Sequence, residues 1–295
     1  MLNAIREKSK SKKHVKQSPT RQMFARLRKN KSSMISLYFI IFLVLFMIIG
    51  TFIIDESLVY EQTMDRKLPP SAEHWFGTDI YGRDIFARVV YGARISVSIG
   101  LITEIIATLV GGVLGSIGAY RGGLVDEVIM RLTDMLLAIP SILLAMVVVT
   151  AMGANATSLI IAISISIIPV HVRLVRSSVL GIADRDFVEA AKSVGMSDFK
   201  IVATQIIPNS LAPVIVLFTQ GIATGMLNAA GLSYLGLGVQ PPNPEWGALI
   251  SGAREFLRTN PYMSIIPGIV VVVTALSFNL VGDGLRDALD PRLKD

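Results

Sequence analysis

Residues 34–54 read MISLYFIIFLVLFMIIGTFII, an unbroken run without a charged side chain. A bilayer core takes roughly 20 apolar residues as helix, so this run predicts a spanning helix. It also predicts an all-α class, because lipid offers no partner to exposed backbone groups. Directly upstream, residues 1–33 hold eleven Lys and Arg against one acid, Glu7, while the whole chain carries +6. The basic charge is therefore concentrated in the tail, and the remainder is net acidic. A basic segment abutting an apolar run anchors on the cytoplasmic side. That reading fits better than nucleic acid as a partner for the tail. The basic and apolar regions are both too long for a cleaved signal peptide, and no small-x-small site precedes Asp55.

The rest of the chain agrees with a membrane class. Of the 295 residues, 52% are hydrophobic and 17% charged, against about 25% charged in ordinary soluble domains. Mean hydropathy is +0.59. These values exclude general disorder and argue against a soluble enzyme. Cysteine is absent, so no thiolate site or disulfide exists. Further apolar runs occupy 95–120, 135–152, 158–172, 211–236 and 265–281. Six spans return both termini to one side, and the basic tail places that side in the cytoplasm. The expected organisation is a basic tail (1–33), a first span (34–54) and an extracytoplasmic loop (55–94). A five-helix core (95–282) and a cytoplasmic tail (283–295) follow.

Small residues recur every fourth position on two spans: Gly111, Gly115 and Ala119, then Gly221, Gly225 and Ala229. Such stripes let helix backbones approach closely in lipid, so these are expected helix-contact faces. Pro140 and Pro169 should kink or break their runs. Glu104 and Asn228 are polar groups inside spans, and an intramembrane charge costs roughly 2.5–3.5 kcal/mol on insertion scales. Both are candidates to line a pathway, with a contact to another helix as the other reading of Glu104.

Catalytic signatures are missing. No G-x-x-x-x-G-K-[ST] phosphate loop occurs, and His14, His74 and His171 are too scattered for an H-E-x-x-H zinc pair. Gly231-Leu232-Ser233-Tyr234 resembles half of a serine-hydrolase motif, but a nucleophile needs a base within reach and nothing pairs Ser233 with His171. His171 is expected to be a packed or interfacial residue near Arg173.

Residues 183–209, ADRDFVEAAKSVGMSDFKIVATQIIPN, form the most informative inside loop. Asp186 followed by Glu189 has the spacing of a capping box. Phe187, Val188, Ala190, Ala191 and Val194 continue a short helix, and Gly195 suits a left-handed C-cap. Ser197 or Asp198 can start a second helix running toward Pro208. The expected product is two short helices at a sharp bend, with Ala190, Ala191 and a carboxylate offered to another protein.

Glu189-Ala190-Ala191, Gly195 and Ile206-Ile207-Pro208 resemble the EAA loop of bacterial ABC importer permeases, departing from its usual pattern at Gln205 and Ile207. Phe76-Gly77-Thr78-Asp79, Gly82-Arg83-Asp84 and Tyr91-Gly92-Ala93-Arg94 are similar to the C-type permease of dipeptide, oligopeptide and nickel importers. So are Gly238-Val239-Gln240-Pro241-Pro242, Pro244-Glu245-Trp246-Gly247 and the stretch from Phe278 to Leu293. The resemblance implies a type I ABC importer permease fold with a cytoplasmic EAA coupling loop at 184–208. In it Asp186, Glu189, Ala190, Ala191 and Gly195 would meet an ATPase. It implies a homologous B-type permease, two ATP-binding subunits and an extracytoplasmic solute-binding protein as partners, besides membrane lipid. This chain would hold no cofactor or metal; ATP and Mg would be bound by the ATPases. The location implied is the bacterial cytoplasmic (inner) membrane, and the cargo a di- or oligopeptide. The alternative is an ion-driven secondary transporter or channel acting alone. It should carry more intramembrane acids or an inverted repeat, and neither is visible.

Overall fold

The computed structural model describes residues 19–289. Among these, regular structure is helical apart from one isolated bridge between Thr78 and Asp84. In chain order the helices are α1 (Pro19–Leu27), α2 (Lys31–Ile53), α3 (Ser57–Tyr60), α4 (Ile85–Arg121), α5 (Gly123–Leu137) and α6 (Ser141–Met152). Then come α7 (Ala156–Ala183), α8 (Asp186–Ser193), α9 (Asp198–Ile201), α10 (Ile207–Tyr234), α11 (Trp246–Gly252) and α12 (Tyr262–Leu289). Five stretches are long and apolar enough to cross a membrane: α2, α4, α7, α9 with α10, and α12. The α5–α6 pair, bent by 89°, makes up to six.

Several boundaries differ from the expected ones, each for a local reason. Helix α4 starts at Ile85, well before residue 95, because Asp84 accepts the Ala87 N–H at 2.8 Å as its N-cap. Arg88 and Arg94 in its first turns depress hydropathy without opposing helix. Residues 123–137, read largely as a loop, form α5. It is tied to α7 by a two-pronged Arg176–Asp126 contact, both bonds 2.6 Å, and by Arg173–Asp134 at 2.6 Å. Pro140 sits in the elbow between α5 and α6. Pro169, by contrast, does not break α7, which runs unbroken through it.

Pro208 does not stop its helix either. A π turn, Val202–Ile206, immediately precedes it and carries α9 into α10. The looser turn makes room where the proline ring and missing amide would disrupt ordinary spacing. Residues 283–289, read as the start of a tail, are the last turns of α12. The expected tail segments 1–18 and 290–295 lie outside the described residues.

The core is built by close backbone approach. Helix α4 lies along α7 with Gly111 against His171 and Gly115 against the Val172 carbonyl. Helix α10 crosses α4 with Gly225 against Thr103 and Gly100. One cluster joins Ile99, Val149, Leu159, Ile163 and Leu232. A second joins Leu43, Val97, Met226, Trp246 and Phe278, drawing in α2 and α12.

Candidate functional site

At one end of the bundle, α8 and α9 meet at Gly195. Arg185 occupies the N-cap position of α8 with no side-chain cap, and Asp186 is the first helical residue. The capping box expected at Asp186 and Glu189 therefore does not form. Both acids lie in the first turn instead, where they complement the positive end of the helix dipole. The C-terminus is a Schellman motif. Gly195 N–H donates to the Lys192 carbonyl at 2.9 Å and Met196 N–H to the Ala191 carbonyl at 3.1 Å. This closure puts Gly195 at φ 78°, a left-handed conformation that glycine adopts without a Cβ penalty.

The two alanines do not share a surface. Ala191 is buried with Val188 against Val175, Val179, Ile201 and Ile206, so it belongs to the bundle and not to the offered face. Ala190 and Glu189 are exposed, as are Asp186 and Gly195. The outer face also carries Phe187, Val194 and Phe199, the last two 78% and 85% exposed. Sequence reading placed these apolar residues along the two short helices without assigning them a face.

The bend is braced to the spans. Tyr120, near the end of α4, donates its hydroxyl proton to Asp198 at 2.7 Å. Lys192 Nζ stands 5.6 Å from the centre of the same ring. Val188 and Ala191 pack on α7. A displacement of α8 therefore pulls on α4, α7 and α10 together.

Deeper in the bundle, Glu104 is fully buried. Its Oε1 lies 2.6 Å from His171 Nε2 and accepts the Thr108 hydroxyl at 3.3 Å. Its Oε2 has no hydrogen-bond partner. A Cβ on Gly221 would fall inside this carboxylate, so that glycine provides its berth. Glu104 thus occupies a helix contact and not an open wall, and His171 pairs with it, whereas Arg173 pairs with Asp134. Asn228 is half-buried on α10. Ser233 accepts the Val239 N–H at 3.3 Å and anchors the following loop.

The opposite end is capped by residues 55–84 and 235–261. Thr78 Oγ1 accepts the Leu68 N–H at 2.8 Å and donates to the Asp65 carbonyl. Asp84 caps α4 and also meets His74 Nδ1 at 2.8 Å. Arg88 donates to the Val59 carbonyl at 2.7 Å and the Pro242 carbonyl at 3.3 Å, joining two distant loops. Trp246, fully buried, donates from Nε1 to the Val89 carbonyl at 2.9 Å, and Glu245 caps α11 through the Gly247 and Ala248 amides. Burial pushes the Glu245 carboxyl above the usual carboxylate range, against the lowering effect of those amides. Among the described residues, no cluster of three or more His, Cys, Asp or Glu side chains could hold a metal ion.

A long-helix bundle with an elbowed span and a braced exposed bend is the architecture of a transport permease. The chain belongs to the family of binding-protein-dependent transport system inner membrane components, whose model matches residues 107–295. Residues 18–70 match the N-terminal TM domain of oligopeptide transport permease C. The chain is 44% identical over 277 residues to the dipeptide transport system permease protein DppC of Alkalihalophilus pseudofirmus, covering 94% of this chain and 91% of that one. It is 40% identical over 278 residues to the glutathione transport system permease protein GsiD of Escherichia coli, covering 94% and 92%. Its fold is similar to a chain of the MetNI methionine ABC transporter in an inward-facing conformation. The TM-score is 0.57 at 15% identity, over 70% of this chain and 98% of that one. An amino acid ABC transporter solved with histidines gives a TM-score of 0.53 at 15% identity, over 68% and 94%.

Proposed function

We propose that this chain is one of two permease halves of an ABC importer for small peptides. It lies in the bacterial cytoplasmic membrane with both termini and the 184–208 bend in the cytoplasm. The observation that carries this reading is the bend itself: Glu189, Ala190, Phe187 and Val194 face outward on a short helix whose other face is locked into the spans. That is the form needed by a part gripped from outside. In this reading the ATPases bind ATP and Mg, and this chain contributes no catalytic group.

ATPase closure pushes α8, and its packing on α7 with the Tyr120–Asp198 bond passes the motion to the spans, which rock between inward and outward openings. Turning a 1:99 preference into 99:1 takes about 5.5 kcal/mol of differential binding. A closing ATPase pair can supply that where a single loop contact cannot. A B-type permease completes the pathway, and a binding protein delivers the solute at the 55–84 end. The dipeptide and glutathione relatives support a peptide-like cargo. The Gly221, Gly225, Gly111 and Gly115 contacts keep the moving spans rigid, and Asn228 is retained as a pathway candidate.

The test is the pair Glu189→Lys and Gly195→Asp. Both are expected to insert normally into the membrane but to abolish uptake and weaken ATPase co-purification. Normal docking and uptake in both variants would refute the reading.

A further inference from the structure

The 55–84 end contains a cavity of about 500 Å³ between the Asp79–Arg88 segment, the loop after α10 and the start of α12. That lies within the roughly 300–1,000 Å³ range of small-molecule sites. Its wall holds three guanidinium groups, of Arg83, Arg88 and Arg254, and two carboxylates, of Asp79 and Glu255. Arg83 Nε donates to Asp79 Oδ2 at 2.7 Å, and Arg88 Nε lies 3.6 Å from the same oxygen. Both arginine side chains are more than nine-tenths buried, at 8% and 4% exposure. Arg88 spends its terminal nitrogens on two backbone carbonyls, and its Nε has no hydrogen-bond partner. Arg83 spends only Nε on an acceptor; its terminal nitrogens have none among the described residues.

The other nearby acids do not balance this charge. Asp84 is used by the Ala87 amide and His74. Glu255 and Arg254, which also line the cavity, cancel in formal charge. The cavity therefore keeps a net positive wall, with a planar donor pair left over. A guanidinium fork matches a carboxylate in two parallel bonds.

We propose that this cavity is a carboxylate-binding site, with Arg83 as its donor fork and Arg88 as the supporting charge. Stacking on Tyr81, whose ring centre lies 4.6 Å from the Arg83 guanidinium carbon, holds the fork in place. The importer reading bears only on the carboxylate's source: the end of a free solute, or an acidic side chain of the docking binding protein.

The experiment uses the assembled importer in nanodiscs. One arm titrates dialanine and its C-terminal amide without the binding protein. The other measures docking of the solute-free binding protein. Arg83→Gln and Arg83→Lys are compared with wild type, with ATP hydrolysis recorded throughout. A tenfold or greater loss for Arg83→Gln in either arm, with partial rescue by Arg83→Lys, supports the site. The affected arm identifies the source, and in the first arm the amide should bind at least tenfold more weakly than the acid. Unchanged affinity in both arms overturns the proposal, as does equal or absent binding of acid and amide together with unchanged docking. Should Arg83→Gln fail to assemble, Arg83→Lys is read alone: it keeps the charge but loses the planar fork, so it must weaken carboxylate binding or docking several-fold, and unchanged affinity in both arms overturns the proposal. Wild-type uptake separates the two readings, since its retention with a failed site removes only the site.

Discussion

The two ends of this bundle are built on opposite terms. At the 55–84 end, polar side chains are spent internally: Thr78, Asp84, Arg88, Glu245 and Trp246 all bond to backbone of another segment or cap a helix. At the 184–208 end the inner face is apolar and packed, while Glu189, Val194 and Phe199 face outward. The contrast teaches where this molecule needs to be stiff and where it is made to be touched. Motifs at the first end are mostly conformational, so apart from Arg83 their residues act on one another. Those at the second end leave surface, so they act on something else.

The comparison can be broken most forcefully at Trp246. Trp246→Ala removes a fully buried ring and its bond to the Val89 carbonyl, and should cost about 3–5 kcal/mol. Loss of folded, monodisperse protein in detergent would show it; wild-type melting would mean that the cap is not an integrated unit. Next comes the helix crossing between the two ends. Glu104→Ala leaves His171 without its partner at 2.6 Å, and breaking a buried pair costs about 3–5 kcal/mol when the remaining group stays charged, less when it is neutral. Gly221→Ala forces a Cβ into the same carboxylate and should cost about 1–3 kcal/mol, whereas Gly112→Ala, with open space around it, should leave thermal melting unchanged.

Gly195→Ala tests the bend more gently. It places a Cβ at φ 78°, at about 1–2 kcal/mol of backbone strain, read as a lower melting temperature and faster proteolysis of the 184–208 segment. The smallest stability effect sharpens the contrast best. Glu189→Lys should shift stability by less than about 0.5 kcal/mol, as exposed substitutions do, while uptake is lost. A large drop in melting temperature would place Glu189 among the internally spent residues.

Hydropathy over 34–54 and its successors already settled an all-helical membrane class, because lipid permits little else for an apolar run of that length. Glu189 through Gly195 likewise announced a short helix ended by a left-handed glycine, since that chemistry is local. Tertiary structure decided the rest. Arg88 and Arg94 hid the true start of α4 from any hydropathy window, and a π turn carried the helix past Pro208. Ala191 turned inward while Ala190 stayed out. Glu104 found its partner 67 residues away in His171, and Arg83 and Arg88 came to share one carboxylate at a cavity wall. Each of these depends on which segment stands beside which, and composition and spacing along the chain carry no record of neighbours across it.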